Sequence, residues 1–268
     1  MYDGGINVAG SHDVCYNFSV DAGVVKMTKT IVKNKIIEFI KKPIPVGNDV
    51  VTRSVPICFF GDIENAKIAT LSLNPSDKEF RNTQKRLVDR DWLPGCPSDT
   101  SALSEFEACE VYDSCIDYFQ NNPYKAWFGS ISNKNGMSGF MKRKYDASYY
   151  EGTLVHLDIT PWATKQKWRK LSDSTKNALV REYASYLKFV LDNSDFDVIY
   201  VNGKAVKEAL ETALNIQFTT TPIKLPINSK SEKYECVYNN KTHIVGINHN
   251  FQHVNTIPGF VDALIKIL

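Results

Sequence analysis

The chain has 268 residues, of which 43% are hydrophobic, 12% aromatic and 23% charged, and its formal net charge is +2 at pH 7. These values are ordinary for a globular protein and exclude disordered and collagen-like chains. The apolar runs are far shorter than the ~20 residues of a membrane-spanning helix, so we expect no membrane association. The first ten residues lack a basic segment followed by an apolar core, so we expect no secretory signal.

The six cysteines show no metal-binding pattern. No two of them form a CxxC pair, and none stands at zinc-finger or iron–sulfur spacing. We therefore expect reduced thiols in a cytoplasmic protein, and no metal site. The cysteines are Cys15, Cys58, Cys96, Cys109, Cys115 and Cys236.

Residues 1–50 are predicted to form an N-terminal extension. Residues 1–23 are polar and lack a clear periodicity. Residues 29–41 place apolar side chains on one side and lysines on the other, which predicts an amphipathic helix packed on the core. The prolines that follow would end this helix. Residues 51–268 are predicted to form the main domain.

Buried strands alternate with helices along the main domain. This alternation predicts an α/β fold with a parallel sheet, in which functional groups gather at the carboxyl ends of the strands. The predicted strands are 55–60, 67–73, 153–157, 197–201 and 242–247, the predicted helices are 104–120, 173–192, 204–214 and 256–267, and 216–240 is predicted to be a hairpin-like insertion.

Three loops at predicted strand ends carry polar side chains. Asn74 stands before a proline in the first, Asp158 ends the strand before the second, and His249 lies between two asparagines in the third. Each loop taken alone could be ordinary turn or cap chemistry. The combination is more specific than its parts, since the carboxyl ends of parallel strands share one edge of a sheet.

At these loops the chain resembles the uracil-DNA glycosylase superfamily. Residues 72–76 read SLNPS, with Ser72 where that family has glycine, and residues 248–253 read NHNFQH where it has a His- or Asn-led loop. Asp158 stands three residues before Pro161, as a base-reading Asn does in one branch. The resemblance implies a three-layer sandwich, with a central, mostly parallel four-stranded sheet flanked by helices.

The resemblance also implies roles for individual residues, and no metal or cofactor. Asn74 would orient the attacking water, and His249 would donate a hydrogen bond to the pyrimidine O2. Phe80 would stack on the base that the protein extrudes from the DNA double helix, and Asn248 would contact that base. The side chains that would fill the vacated space in the DNA are Phe251, Gln252 and His253.

Two departures from the family indicate the substrate. An ionised Asp158 only accepts hydrogen bonds, which suits the N4 amino group of cytosine better than uracil. Ser76 is small where strict uracil enzymes carry a tyrosine that blocks substituents at C5. Together they favour a cytosine enlarged at C5, a base that occurs in some bacteriophage DNAs. We therefore expect a monomeric anti-phage DNA glycosylase whose partner is phage DNA.

The charge distribution agrees with a DNA partner. Residues 125–170 carry nine cations and three anions, a net +6, and the rest of the chain carries −4. Aromatic residues are interleaved with these cations, as suits phosphate binding and base stacking, although a solvated surface over buried rings would give the same composition. The predicted phosphate contacts are Lys142, Arg143, Lys144, Lys165, Lys167 and Arg169.

Three alternatives remain open at this point. The protein could be a repair glycosylase for uracil or damaged pyrimidines, or a non-catalytic DNA-binding member of the fold. It could also be an unrelated nucleotide-handling α/β enzyme. The last alternative lacks a glycine-rich phosphate loop, because Asn202-Gly203-Lys204 is too short to form one.

Overall fold

A mixed six-stranded sheet forms the centre of the structure, a computed structural model that describes residues 29–45, 47–88, 99–121, 127–130 and 132–268. The strand order is β2-β1-β3-β6-β5-β4. Residues 1–28 of the predicted extension lie outside the described residues, as do Cys15, Cys96 and Lys125. The strands are β1 (Ile68–Ser72), β2 (Leu154–Asp158), β3 (Val198–Asn202), β4 (Thr219–Ile223), β5 (Ser231–Tyr238) and β6 (Thr242–Ile247).

The predicted α/β class is confirmed, but the predicted number of four strands is wrong. The strands β2, β1, β3 and β6 do run parallel to one another. The segment predicted as a hairpin-like insertion adds β5 antiparallel to β6, and β4 antiparallel to β5. The insertion therefore extends the sheet instead of standing apart from it.

The helices follow the predicted pattern in most places. The predicted helix at 104–120 is divided at Asp117 into two helices, and the helix α4 was not predicted. The helices are α1 (Lys29–Ile40), α2 (Glu105–Ile116), α3 (Tyr118–Asn121), α4 (Met137–Tyr145), α5 (Asp173–Asn193), α6 (Lys204–Leu214), α7 (Phe251–Val254) and α8 (Phe260–Ile267). None of the helices in the described ranges is long and apolar enough to cross a membrane.

The strand predicted at 55–60 is wrong. This segment is buried, but it forms only one bridge to the sheet, between Phe60 and His156 on the outer edge of β2. Pro56 has no backbone N–H for a ladder, and the Ile57 N–H donates to the carbonyl of Pro161 instead. Buried apolar sequence alone did not distinguish this segment from a paired strand.

The helix α1 packs its apolar side against the core. Ile36, Ile37, Phe39 and Ile40 are buried, and the ring of Phe39 stacks on that of Tyr186 in α5 with centroids 4.0 Å apart. Burying one such side chain typically contributes about 1.5–3 kcal/mol. Hydrophobic burial therefore fixes the helix to the main domain.

One face of the sheet carries a cluster of polar side chains. Side chains alternate between the two faces of a strand, so residues two apart share a face. In the parallel register Thr70 lies beside His156 and Tyr200, and Ser72 lies beside Asp158. These side chains approach the carboxyl edge of the sheet, where the predicted loops begin.

Candidate active site

The structure brings the three predicted loops to one cleft of about 590 Å³ at the carboxyl edge of the sheet. Clefts of this volume are typical of small-molecule and cofactor sites. Asn74 lines it after β1, Asp158 lines it at the end of β2, and the loop after β6 contributes its later residues. The loop that follows β2 supplies a further wall, through residues 164–169.

Asn74 is held in one orientation. Its side-chain nitrogen donates to the carbonyl of Pro75 at 2.9 Å and to Oγ1 of Thr164 at 3.1 Å. The Thr164 hydroxyl in turn donates to the carbonyl of Gln166 at 2.7 Å. Because the amide nitrogen is committed to two acceptors, the side-chain oxygen remains as the acceptor available to a water. Sequence reasoning did not find Thr164, which stands 90 residues away from Asn74.

Ser76 begins a short 3-10 turn over Asp77–Glu79, where its hydroxyl accepts from the Lys78 N–H at 3.3 Å. The residue lines the cleft and is partly exposed. Its side chain is small and is folded back on its own turn. The Ser76 side chain therefore takes up little space in the cleft.

Asp158 is buried at the floor of the cleft, and 2% of its side chain is exposed. Burial raises the pKa of the Asp158 carboxyl, and the neighbouring His156 partly opposes that shift. Its Oδ1 lies 3.5 Å from Nε2 of His156 and has no hydrogen-bond partner among the described residues. An acceptor without a partner at a buried position is the kind of group that a ligand can satisfy.

His156 also lines the cleft, and sequence reasoning missed it. Its Nδ1 lies 2.7 Å from Oγ1 of Thr70, which lies 2.6 Å from the hydroxyl of Tyr149. All three side chains are buried. The sequence could have indicated His156 as a cleft residue, because it stands two residues before Asp158 and so shares its face of β2.

Aromatic rings surround His156 on the cleft side. Its ring centroid lies 4.4 Å from that of Trp127, 5.2 Å from that of Phe128 and 5.4 Å from that of Phe60, and all three rings line the cleft. Phe80 is fully buried and does not line the cleft, so the stacking role predicted for it does not fit this structure. The aromatic rings that line the cleft are those of Phe60, Trp127, Phe128 and Trp168.

The loop after β6 is arranged differently from the prediction. Phe251 is 1% exposed and packs on Phe140 with centroids 5.3 Å apart, so it is a core residue and not a wedge. Gln252 and His253 are exposed and line the cleft, together with Asn250. The two predicted insertion residues that reach the cleft are therefore Gln252 and His253.

His249 and Asn248 face the β4–β5 insertion. Nε2 of His249 lies 3.1 Å from the Ser231 hydroxyl, and burial lowers the pKa of the imidazole. Asn248 donates to the carbonyl of Lys230 and accepts from the N–H of Glu232. Neither side chain lines the cleft, so the structure does not place either of them where its predicted contact with a base would be made.

The predicted phosphate contacts fall into two groups. Lys165, Lys167 and Arg169 line the cleft at its exposed rim, and none of them forms an ion pair among the described residues. The other group, residues 142–144, lies in the last turn of α4, away from the cleft. Cations in the last turn of a helix interact favourably with the helix dipole. Lys142 pairs with Asp146 and Glu151, Arg143 pairs with Asp262, and Lys144 donates to the carbonyl of Ile265.

A second buried carboxyl, that of Glu79, lines the cleft and accepts from the Tyr118 hydroxyl at 2.8 Å. No group of three or more metal-ligating side chains occurs in the part of the chain that the structure describes. The cleft is thus lined by amides, two histidines, three carboxyls, cations and aromatic rings. No protein-family model and no curated protein matches the chain.

Proposed function

We propose that this protein is a DNA base glycosylase of the uracil-DNA glycosylase type that excises a C5-enlarged cytosine from phage DNA. One observation carries the proposal. A single cleft combines the fixed amide of Asn74 and the buried carboxyl of Asp158 with a lining of aromatic rings and several cations. Stacking rings, an acceptor for a base and a phosphate-binding rim are what an enzyme needs to hold an extruded nucleotide.

The reaction replaces the bond between the base and C1′ with a bond from water to C1′. The bond to the base breaks first, the electron pair leaves with the base, and a sugar cation remains. The oxygen of Asn74 would hold the water that adds to C1′. That water then releases a proton to the solvent, and the departing base anion takes up a proton. A strong base is unnecessary at this step, because the sugar cation is already a strong electrophile.

Charge develops on the pyrimidine O2 as the base leaves, and a hydrogen-bond donor there typically accelerates such a reaction by ~10²–10³-fold. His253 lies on the cleft lining and His249 does not. His253 is therefore the better candidate for this donor in the structure. The product is DNA with an abasic site and the free base.

Two features support cytosine with a C5 substituent as the base. Asp158 offers an acceptor to an N4 amino group. Ser76 leaves room beside the ring, and contacts to a large substituent could distinguish the foreign base from ordinary cytosine. Rim cations at Lys165, Lys167 and Arg169 would hold the phosphates on either side of the extruded nucleotide.

The decisive experiment measures abasic-site formation. Oligonucleotides with ordinary cytosine, 5-hydroxymethylcytosine, its glucosylated form or uracil at one position are incubated with the protein and then treated with alkali to cut at abasic sites. We expect cleavage of a C5-enlarged cytosine, little at ordinary cytosine, and loss of cleavage in Asn74→Ala. Equal cleavage of uracil and modified cytosine would contradict the proposed substrate, and no cleavage of any strand would contradict the proposed activity.

One observation favours a second candidate, a protein that binds modified DNA without cleaving it. The histidine predicted to be catalytic, His249, is hydrogen-bonded to Ser231 and is turned from the cleft. This candidate predicts salt-dependent binding to DNA without alkali-sensitive sites. The same oligonucleotides, used in a binding titration beside the cleavage assay, separate the two functions.

A further inference from the structure

The hydrogen bonds that join Tyr149, Thr70 and His156 all run in one direction, with each side chain donating to the next. The Tyr149 hydroxyl is buried, and its only partner among the described residues is Oγ1 of Thr70. Its proton must therefore point to Thr70, since a buried donor is rarely left without an acceptor. The Thr70 hydroxyl has one proton and no further acceptor among the described residues, so that proton is donated to Nδ1 of His156 at 2.7 Å.

This direction fixes the tautomer of His156. An imidazole whose Nδ1 accepts a hydrogen bond carries its hydrogen on Nε2. The Nε2 atom faces Asp158, but the distance of 3.5 Å to Oδ1 is longer than a normal hydrogen bond. The hydrogen on Nε2 is thus not committed to the carboxyl. Contact with the rings of Trp127 and Phe128 keeps the imidazole in this orientation.

We infer that His156 and Asp158 together form a fixed donor–acceptor pair that reads the pairing edge of a cytosine-type base in the cleft. The identity of the ligand, a cytosine-type base, rests on the proposed function. The His156 Nε2–H donates to the ring nitrogen N3, and the Asp158 carboxylate accepts from the N4 amino group. Both residues line the same cleft from the same face of β2.

The same pair rejects uracil. Uracil carries a hydrogen on N3 and an oxygen at C4, so a donor would face the His156 N–H and an oxygen would face the Asp158 carboxylate. An amide side chain can turn over to suit either base, whereas this pair cannot, because Tyr149 and Thr70 determine which nitrogen of His156 carries the hydrogen. His156 is therefore a specificity-determining residue, and Thr70 and Tyr149 are positioning residues.

A matched pair of bases tests the inference. Oligonucleotides with 5-hydroxymethylcytosine or 5-hydroxymethyluracil at one position differ only at the pairing edge. Binding is measured with Asn74→Ala in the full chain, so that cleavage does not disturb the titration. We expect the cytosine strand to bind about 10–100-fold more tightly, because the uracil strand leaves buried polar groups without partners.

Three variants, each in the Asn74→Ala background, assign this preference to the pair. His156→Phe keeps a flat ring but removes the donor, and we expect it to reduce the preference to the part that Asp158 alone supplies. Tyr149→Phe removes one oxygen atom and lets the imidazole exchange tautomers, so we expect a reduced preference. Tyr200→Phe is the control, because its buried hydroxyl lies on the same face of the sheet and has no hydrogen-bond partner among the described residues. Its preference should be unchanged.

A spectroscopic measurement tests the tautomer independently of any nucleic acid. The ¹⁵N chemical shifts of the His156 ring, assigned by their loss in His156→Phe, should show a hydrogen on Nε2 and none on Nδ1. The opposite pattern would overturn the inference. So would equal binding of the two strands by Asn74→Ala, or a preference that His156→Phe leaves undiminished.

The proposed function can fail separately. If the wild-type protein makes abasic sites at both bases at equal rates, glycosylase activity stands and the base-reading inference is wrong. If it makes abasic sites at neither base but Asn74→Ala still prefers the cytosine strand, the inference stands and the proposed activity is wrong. If it shows neither cleavage nor preference, both are wrong.

Discussion

The side-chain nitrogen of Asn74 donates to Oγ1 of Thr164 at 3.1 Å, which joins the loop after β1 to the loop after β2. Thr164 is 2% exposed and lies in a segment that bridges Val50, so the acceptor is itself held in place. The backbone N–H of the next residue, Lys165, donates to the carbonyl of Asp49 at 2.7 Å. The segment just before the main domain thus supports the candidate catalytic amide.

Thr164→Val should therefore lower the rate of base excision, because Asn74 loses one of the two acceptors that orient it. We expect a reduction of about 5–30-fold in single-turnover rate, consistent with the loss of one net hydrogen bond of ~1–2 kcal/mol. Thr164→Ser keeps the hydroxyl and should retain most of the rate. A Thr164→Val protein that excises as fast as the wild type would show that this hydrogen bond does not orient the amide for the reaction.

The two groups of cations should differ in their contribution to DNA binding. Replacing Lys165, Lys167 and Arg169 with alanine should weaken binding and reduce the slope of log K against log salt by up to about 3, since each phosphate contact contributes ~0.9. Replacing residues 142–144 changes the charge equally but removes cations already paired within the protein. Fluorescence anisotropy at several salt concentrations measures both slopes. Similar slopes for the two triple variants would contradict the assignment of the rim.

This difference between the two groups shows a limit of sequence reasoning. Both groups are clusters of lysine and arginine in one basic stretch, and composition gives them equal weight. Arg143 pairs with Asp262, which stands 119 residues away, and no local sequence pattern indicates that partner. Whether a cation is free to bind phosphate depends on contacts that only the folded chain makes.

The fold was more predictable than the side chains of the site. Apolar runs bounded by turn residues identified the strands β1, β2, β3 and β6, and the turn at Asn202-Gly203 marked the start of the helix at 204–214, because buried strands are continuous in sequence. The position of Phe80 was not predictable in this way. A short 3-10 turn directs its ring into the core, and a turn of three residues has no periodicity to detect. Trp127, whose ring does line the cleft, lies outside any regular element.

Asn202 should stabilise the structure by holding the loop after β6. Its Oδ1 accepts from the buried N–H of Phe251 at 2.9 Å. Asn202→Ala leaves that N–H without an acceptor, so we expect the free energy of unfolding to fall by about 1–3 kcal/mol in urea denaturation. Tyr200→Phe, two residues earlier on the same strand, removes a hydroxyl that has no partner among the described residues and should cause little change. Equal effects of the two substitutions would contradict this role of Asn202.

The excision rate should depend on pH through Asp158. Burial raises the pKa of this carboxyl, and the base-reading role requires its ionised form as an acceptor. Activity should therefore be low at acidic pH and rise as the pH passes through a pKa above the ordinary value for aspartate. Single-turnover rates across pH 4–8 measure this limb. Asp158→Asn should remove this rise of the rate with pH and weaken the preference for cytosine over uracil. A rise that persists in Asp158→Asn would show that another group titrates.

The same shift has a consequence for stability. The folded state holds the Asp158 proton more tightly than the unfolded chain, so the contribution of this group to the free energy of unfolding falls as the pH rises through its raised pKa. Asp158→Asn has no charge to bury. The variant should gain thermal stability relative to the wild type at neutral pH, and this gain should shrink at acidic pH.

Substitutions of His249 and His253, the two histidines after β6, should differ in their effects on the reaction. His253 is exposed on the cleft lining, whereas His249 is hydrogen-bonded to Ser231 and lies away from it. If His253 donates to the pyrimidine O2 as the base leaves, His253→Ala should lower the single-turnover rate by ~10²–10³-fold with a smaller effect on DNA binding, because the interaction strengthens as charge develops. His249→Ala should lower it only a few-fold, through the loop that it supports. The reverse order of the two effects would show that the loop rearranges on DNA, so that His249 takes the place that the resemblance to the glycosylase superfamily implies for it.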